Sequence, residues 1–184
     1  MESPPSNAGL GLLVALILFI VSLAFILGYL VMLLLRIPIR LGMPFPFFIF
    51  GIAILAAAAL FLAWFFKFRR IRDVAISTYV TVRKWAKRIP PEKPSGREEP
   101  LVVVGPYRLV RHPLYFSIML LTVGLWLVLD YSFILLGGIF LFAWFYFFLE
   151  DLEERELRML YGEAYEKYAR EVPKMIPFTK IRRK

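Results

Sequence analysis

Long uncharged stretches alternate with charged ones along this chain of 184 residues. Residues 3–35 and 41–66 contain no Lys, Arg, Asp or Glu, and each stretch exceeds the roughly 20 residues that a helix needs to cross a bilayer. Two further apolar stretches are separated only by Asp130, so they predict an antiparallel helical hairpin whose first arm measures roughly 24 Å. The pattern predicts an all-α integral membrane protein with about four transmembrane helices, at residues 10–35, 44–66, 114–129 and 131–149.

The composition supports this class. Hydrophobic residues make up 60% of the chain and aromatic residues 17%, with a mean hydropathy of +0.68, which is more apolar surface than a soluble domain of this size buries. No basic segment precedes the first apolar stretch, so we expect that stretch to be retained as a membrane helix. The absence of cysteine excludes disulfides, cysteine nucleophiles and cysteine metal ligands. We expect a single membrane domain, residues 1–184.

The distribution of the 23 Lys and Arg residues predicts the orientation in the membrane. Only Arg36 and Arg40 lie in the first loop, and all the others lie in residues 67–111 or after residue 149. By the positive-inside rule, both termini, the loop 67–113 and the segment 150–184 face the cytoplasm and form a cap there. Anionic lipid headgroups account for these charges, so we expect no nucleic-acid partner.

The residues predicted to face the cytoplasm include three segments of different composition. Residues 71–88 carry apolar positions at helical spacing between basic ones, which is typical of an amphipathic helix at a membrane surface. Residues 89–100 contain four prolines and one glycine, and this composition predicts a loop. Residues 150–168 are rich in helix formers, and Gly162 is expected to break that helix.

Two charged clusters remain once the membrane anatomy is accounted for. The first contains Arg111, His112 and Tyr115, directly before the hairpin, and the second begins at Glu150, directly after it. Because the two arms of a hairpin are antiparallel, both clusters emerge at the same membrane face. The sequence therefore predicts that they lie together.

Helical spacing separates the acidic residues of the second cluster into two groups. Two of them have a basic residue four positions later and predict ordinary surface pairs, namely Asp151 with Arg155 and Glu154 with Arg158. Glu150 and Glu153 have no such partner on their own helix, so they are either solvated or require a cation from elsewhere, such as Arg111 or a cationic ligand.

The only histidine is weak evidence for chemistry by itself. A histidine beside a proline near an interface is more often a hydrogen-bonded structural residue than a base. A protein-built metal site is not expected from one histidine without cysteine. Neither a Gly-x-Gly-x-x-Gly motif nor a P-loop is present, which excludes the common soluble nucleotide folds.

Together, the two clusters resemble a known family. The first reads GPYRLVRHPLY and the second EERELRMLYGEAYEKYAREVPKMIP, with an apolar hairpin between them. This order resembles integral-membrane methyltransferases related to isoprenylcysteine carboxyl methyltransferase and the phospholipid N-methyltransferases. The resemblance covers residues 101–178, and the N-terminal helices carry no such signature.

The resemblance implies a pocket for S-adenosylmethionine at the cytoplasmic end of the hairpin, closed by the C-terminal segment. It implies carboxylates near the cationic groups of the cofactor, a guanidinium near its carboxylate, and tyrosines that pack on it. The implied catalytic residues are Arg111, His112 and Glu153, and the implied cofactor-binding residues are Gly105, Tyr107, Arg111, His112, Pro113, Tyr115, Glu153, Glu154, Tyr165 and Tyr168.

The function implied by the resemblance is S-adenosylmethionine-dependent methyl transfer to a membrane lipid, or to a lipidated small molecule or protein. The sequence does not distinguish a carboxylate, an amine and a thiol as the group methylated, and it does not indicate an oligomeric state. Two alternatives stay open: an NADPH-dependent enzyme resembling membrane sterol reductases, and a non-enzymatic membrane adaptor. A reductase would bind NADPH in the corresponding pocket, whereas an adaptor would bind no cofactor.

Overall fold

The computed structural model describes residues 7–86 and 101–179 of the chain. The described residues form α-helices with one 3₁₀ turn and one π-helical turn, and they contain no β-strand. In chain order the elements are α1 (Asn7–Leu34), α2 (Phe45–Phe66), α3 (Ile71–Ala86), the 3₁₀ turn (Gly105–Arg108), α4 (Pro113–Leu129), α5 (Ser132–Trp144), the π-helical turn (Phe145–Leu149), α6 (Glu150–Tyr161) and α7 (Glu163–Glu171).

Among these elements, three helical segments are long and apolar enough to cross a membrane, as judged by length and composition. They are Gly9–Leu34, Phe45–Phe66 and Ser132–Tyr161. The helix α4 is also apolar but has 17 residues, which is about 26 Å against a hydrocarbon core of about 30 Å. An all-helical membrane protein is therefore confirmed, while the count of four crossings stays a prediction.

The bounds predicted for the last membrane crossing, 131–149, stay a prediction. In the structure the helix continues from α5 through the π-helical turn into α6 without a break. The reason is that residues 150–161 are strong helix formers, so no local signal stops the helix when the apolar stretch ends.

The tight turn predicted at Asp130 is present. Asp130 adopts a left-handed conformation with φ 55°, and its carboxylate accepts hydrogen bonds from the backbone N–H groups of Leu41, Gly42 and Met43 at 3.2, 2.8 and 3.3 Å. The Ser132 hydroxyl donates to the Pro38 carbonyl at 2.7 Å. These bonds join the α4–α5 turn to the α1–α2 loop at one end of the helices.

Close helix contacts occur where glycines face each other. The helix α1 packs on α5, α5 on α4, and α4 on α2. A side chain at Gly28 in α1 would come within 2.4 Å of the Gly137 backbone in α5, and one at Gly124 in α4 would come within 3.2 Å of the Gly51 carbonyl in α2. Small residues allow such backbones to approach, as is usual between membrane helices.

The polar helices pack at the opposite end from the Asp130 turn. The predicted amphipathic helix is present as α3 over Ile71–Ala86. Residues 87–100, which include the last two residues predicted for this helix and the predicted proline-rich loop, lie outside the described residues. The Thr81 hydroxyl donates to the Glu156 carboxylate at 2.8 Å, which joins α3 to α6. The predicted break at Gly162 is confirmed, since Gly162 has φ 51° and separates α6 from α7.

Candidate active site at the base of the hairpin

Arg111 and His112 stand directly before α4. His112 is the N-cap residue of that helix, and Pro113 occupies its first turn, where the missing N–H of proline costs nothing. The backbone N–H groups of Arg111 and His112 donate to the carbonyls of Pro173 and Lys174 at 3.0 and 3.1 Å. We call residues 172–176 the C-terminal strap, because this segment fixes the start of α4 by backbone bonds.

The imidazole of His112 lies between two carboxylates from α6. Its Nδ1 is 3.3 Å from Glu153 Oε2, and its Nε2 is 3.4 Å from Glu154 Oε1. Glu154 Oε1 is also 2.7 Å from Arg111 Nη1, and the side chains of this ion pair are only 8% and 7% exposed. The two clusters that the sequence predicted to meet are therefore in direct contact, and the cluster is largely shielded from solvent.

The structure corrects the prediction for Glu154. Spacing along the helix predicted an ordinary surface pair with Arg158, and that contact exists at 3.5 Å. The shorter contact of Glu154 is with Arg111, and the carboxylate is buried. Helical spacing identifies only partners on the same helix, so it could not reveal the more important one. The side chains of Glu150 and Asp151 lie outside the described residues.

Glu153, which lacked a partner on its own helix, is bound by residues of α4. The Tyr115 hydroxyl donates to Glu153 Oε1 at 2.7 Å, and this carboxylate keeps 24% of its surface exposed. The Tyr115 ring stacks on His112, with centroids 5.6 Å apart, and on Phe145 at 4.6 Å. Glu153 is therefore the more accessible of the two acids.

The predicted tyrosines of α7 lie over this cluster. Tyr165 is buried, and Arg111 Nη1 donates to its hydroxyl at 3.5 Å. Burial raises the pKa of Tyr165 to about 12, and the neighbouring Glu154 carboxylate acts in the same direction. The Tyr168 hydroxyl donates to the Tyr107 carbonyl at 2.7 Å. These contacts join α7 to the 3₁₀ turn.

The 3₁₀ turn forms one wall of the site. Gly105 has φ 62°, and a side chain there would meet the Phe68 ring at 2.4 Å. Both the conformation and the space therefore require glycine. Tyr107 lies 6.1 Å from the Phe65 ring of α2, measured between centroids, and burial raises the pKa of its hydroxyl. The structure thus places all ten sequence-predicted residues on the elements that surround the base of the hairpin.

Sequence reasoning missed Phe145 and Lys174. Phe145 belongs to the π-helical turn, which no residue pattern predicts. The Lys174 ammonium donates to the Tyr146 carbonyl of that turn at 3.1 Å and lies 4.5 Å from the Tyr146 ring centre. Lys174 therefore joins the strap to the π-helical turn as well as to the start of α4. Its position in a basic tail gave no signal beyond charge.

One buried donor of this cluster lacks an acceptor among the described residues. Arg111 Nε is buried and has no hydrogen-bond partner within the part of the chain that the structure describes. Buried donors of this kind are normally satisfied. An acidic group of a small ligand would satisfy it, and the carboxylates of Glu153 and Glu154 suit cationic groups of the same ligand.

An apolar cleft begins beside this cluster and runs between the two arms of the hairpin. Tyr115, which bonds Glu153, lines the end of the cleft nearest the cluster. The other lining residues are Ile118, Met119, Thr122, Gly138, Leu141, Phe142 and Phe145.

Comparison with known proteins identifies the family. Residues 47–164 match the model of the phospholipid methyltransferase family. A methanethiol S-methyltransferase of Pseudomonas sp. (strain GM41(2012)) is 35% identical over 106 residues, which cover 53% of this chain and 34% of that protein. The chain thus spans about a third of the length of this relative. No solved structure matches.

The family match begins within α2, so it extends further towards the N-terminus than the residues on which the sequence-based resemblance rested. It includes Arg111, His112, Tyr115, Glu153 and Glu154, the residues that the structure brings into contact. The predicted membership of an integral-membrane methyltransferase family is confirmed. The chain belongs to the phospholipid methyltransferase family.

Proposed function

We propose that this protein transfers a methyl group from S-adenosylmethionine to a lipid or lipidated acceptor at the cytoplasmic face of a membrane. The observation that carries the proposal is the shielded cluster of Arg111, His112, Glu153 and Glu154 at the base of an apolar hairpin, beside an apolar cleft. Membership of the phospholipid methyltransferase family favours this activity over a reductase or an adaptor.

The charged residues are suited to hold the cofactor. Glu153 and Glu154 would face its cationic groups, and Arg111 would bind its carboxylate through the unpartnered Nε. Tyr107, Tyr165 and Tyr168 would pack around it, and Gly105 and Pro113 shape the backbone beside it. When bound, S-adenosylmethionine supplies an electrophilic methyl group on a sulfonium.

The protein contributes alignment and desolvation more than acid–base chemistry. Burial of Arg111, His112 and Glu154 excludes water from the cluster, and the strap fixes the start of α4 by backbone bonds. Such ordering matters because a displacement at carbon requires the reacting groups in line and close together. Glu153, being the more accessible carboxylate, is the group placed to take a proton from an acceptor that carries one.

The cleft between the hairpin arms supports entry of the acceptor from the membrane. The helix α2 packs directly on α4, whereas the cleft lies between α4 and α5 and begins at Tyr115. An apolar tail there would leave the reactive head beside Glu153, and burial of a tail contributes about 0.8 kcal/mol per CH₂ group.

A second acceptor class is favoured by the relative that acts, by its name, on methanethiol. The apolar lining of the cleft beside Glu153 suits the alkyl part of either a small thiol or a lipid. Both candidates use the same cluster and differ only in the acceptor.

The orientation and extent of the protein form part of the proposal. Both termini and the cluster face the cytoplasm, and residues 1–184 act as one membrane domain without a nucleic-acid partner. Cysteines are introduced at residues 2 and 182, and intact cells that make these variants are treated with a membrane-impermeant thiol reagent. We expect neither cysteine to be labelled. Labelling from outside the cell would reverse the orientation and the side from which the cofactor arrives.

The experiment is binding and transfer with the purified full chain in detergent or vesicles. We expect calorimetry to detect S-adenosylmethionine binding, and Arg111→Ala and Glu153→Gln to weaken it about tenfold or more, since each loses a charge-assisted contact. Lys167→Gln, an exposed change on α7, serves as the control and should bind normally.

The acceptor is then identified with radiolabelled methyl transfer to a lipid headgroup with its tail, the same group without its tail, and a small alkyl thiol. Preference for the tailed compound supports the lipid acceptor, and preference for the thiol supports the second candidate. Binding of NADPH in place of S-adenosylmethionine would indicate the reductase alternative, and binding of neither would refute the proposal.

A further inference from the structure

A dense group of cations lies at the end of α2, next to the 3₁₀ turn that forms one wall of the proposed active site. Residues 67–72 read KFRRIR, and we call them the basic corner. Lys67, Arg70 and Arg72 are exposed, and Arg69 is half-buried. Asp73 is the acidic residue that follows, at the first turn of α3. Four cations against one anion give this short segment a strong positive potential.

The corner has a defined backbone. The N–H groups of Lys67 and Phe68 donate to the carbonyls of Trp64 and Phe65 at 3.2 and 3.0 Å, which closes the end of α2. On the other side, the Asp73 N–H donates to the Arg70 carbonyl at 3.0 Å and starts α3. The cations are therefore carried on a turn of fixed shape between two helices.

Two exposed apolar side chains alternate with these cations. Phe68 is 41% exposed and Ile71 is 68% exposed. Phe68 is also held from one side, because its ring fills the space beside Gly105 and lies 6.5 Å from the Trp64 ring centre. Since α2 is a candidate membrane span that ends at Phe66, these apolar groups stand where hydrocarbon gives way to headgroups.

We propose that the basic corner binds the headgroup of an anionic phospholipid. The phosphate and the net negative charge of the lipid complement Lys67, Arg70 and Arg72, while Phe68 and Ile71 contact the upper part of its acyl chains. Each cation near an anionic membrane surface strengthens binding about fivefold. The combination of cations and apolar anchors selects a lipid rather than a free anion. This inference does not depend on the proposed enzymatic function.

The test uses Trp64 as a reporter, because its ring contacts that of Phe68. The full chain is placed in phosphatidylcholine vesicles with a small fraction of brominated phosphatidylglycerol or brominated phosphatidylcholine, and tryptophan quenching is measured. The same measurement on Trp64→Phe isolates the contribution of Trp64. We expect the brominated phosphatidylglycerol to be tenfold or more effective at low salt, and less so at high salt, which screens exposed charges.

Matched charge variants decide whether the corner is responsible. Arg70→Gln/Arg72→Gln is expected to lower the preference at least fivefold, while Arg70→Lys/Arg72→Lys keeps most of it. The control, Lys167→Gln/Arg170→Gln, removes the same charge from exposed positions on α7 and should retain the preference. If the double glutamine variant loses its helical circular dichroism, Arg70→Gln alone is measured and should lower the preference about fivefold.

Three results would overturn the inference. The first is equal quenching of Trp64 by the two brominated lipids in the wild-type protein. The second is an unchanged preference in the folded corner variant. The third is an equal loss in the corner and α7 variants, which would assign the preference to the overall charge of the protein.

Discussion

The contact between Glu154 and Arg111 makes a strong prediction about stability. Glu154→Gln keeps the size of the side chain and removes its charge. Arg111 would then be a guanidinium that is 8% exposed, with a hydroxyl contact to Tyr165 at 3.5 Å and an Nε without a partner in the described structure. A buried cation that loses its anion is strongly destabilised.

The magnitude follows from the burial of the pair. Removing one partner of a buried ion pair typically costs 3 to 5 kcal/mol, and we expect about 3 kcal/mol because the glutamine oxygen still accepts a hydrogen bond. For a protein of this size that lowers the midpoint of thermal unfolding by about 6 to 12 °C. Glu153 is 24% exposed and keeps the Tyr115 bond as glutamine, so Glu153→Gln should cost only about 1 kcal/mol.

The assay is thermal unfolding of the purified chain in one detergent at a fixed scan rate, followed by circular dichroism. Arg111→Met and the double variant Arg111→Met/Glu154→Gln complete a cycle. Because the double variant contains neither charge of the pair, it should be more stable than Glu154→Gln alone. Their coupling should reach about 2 kcal/mol, within the usual range for residues in contact.

The reasoning fails if Glu154→Gln unfolds no earlier than Glu153→Gln. It also fails if the two single changes add within about 0.5 kcal/mol in the double variant, since additivity is the behaviour of residues that do not interact. Either result would mean that the ion pair contributes little to the folded state.

Three further predictions concern the surroundings of the site. The pKa of Tyr165 is about 12 in the folded state, against 10 ordinarily, so its contribution to the free energy of unfolding is present below pH 10 and is lost as the pH rises towards 12. In that pH range the free energy of unfolding should fall less steeply in Tyr165→Phe than in the wild type, by up to about 1.4 kcal/mol per pH unit. Tyr168→Phe removes the bond to the Tyr107 carbonyl and should lower the free energy of unfolding by about 1 to 2 kcal/mol in a denaturant titration. Gly137→Ala places a methyl group 2.5 Å from the Phe25 ring and should cost about 1 to 3 kcal/mol in thermal unfolding, whereas Gly11→Ala, with nothing within 4 Å, should be tolerated.

Much of the membrane architecture could be predicted because the signals are local. Uncharged stretches specify where membrane helices lie, and Asp130 between two of them specifies a tight turn. Gly162 marks a break that the structure contains. The meeting of the two charged clusters followed from the antiparallel geometry of the hairpin, without any knowledge of side-chain positions.

The pairing within the clusters could not be predicted in the same way. Glu154 has a suitable partner four residues later, so spacing assigned it to the helix surface, but it lies against Arg111 from another helix. The π-helical turn, which carries Phe145, has no residue signature. Its i→i+5 hydrogen bonds shift the register of the helix that follows, which carries Glu153 and Glu154.

The C-terminal strap explains how the site can extend beyond the family match, which ends at residue 164. Arg111 and His112 are held there by the carbonyls of Pro173 and Lys174, and every residue type supplies a carbonyl. Such bonds constrain the path of the backbone but not the side chains that follow it. A buried side chain is still needed to hold the strap against the helices, and Met175, which is 1% exposed, provides it. Part of the site therefore depends on the backbone path of the C-terminal strap, and a residue pattern predicts such a path only weakly.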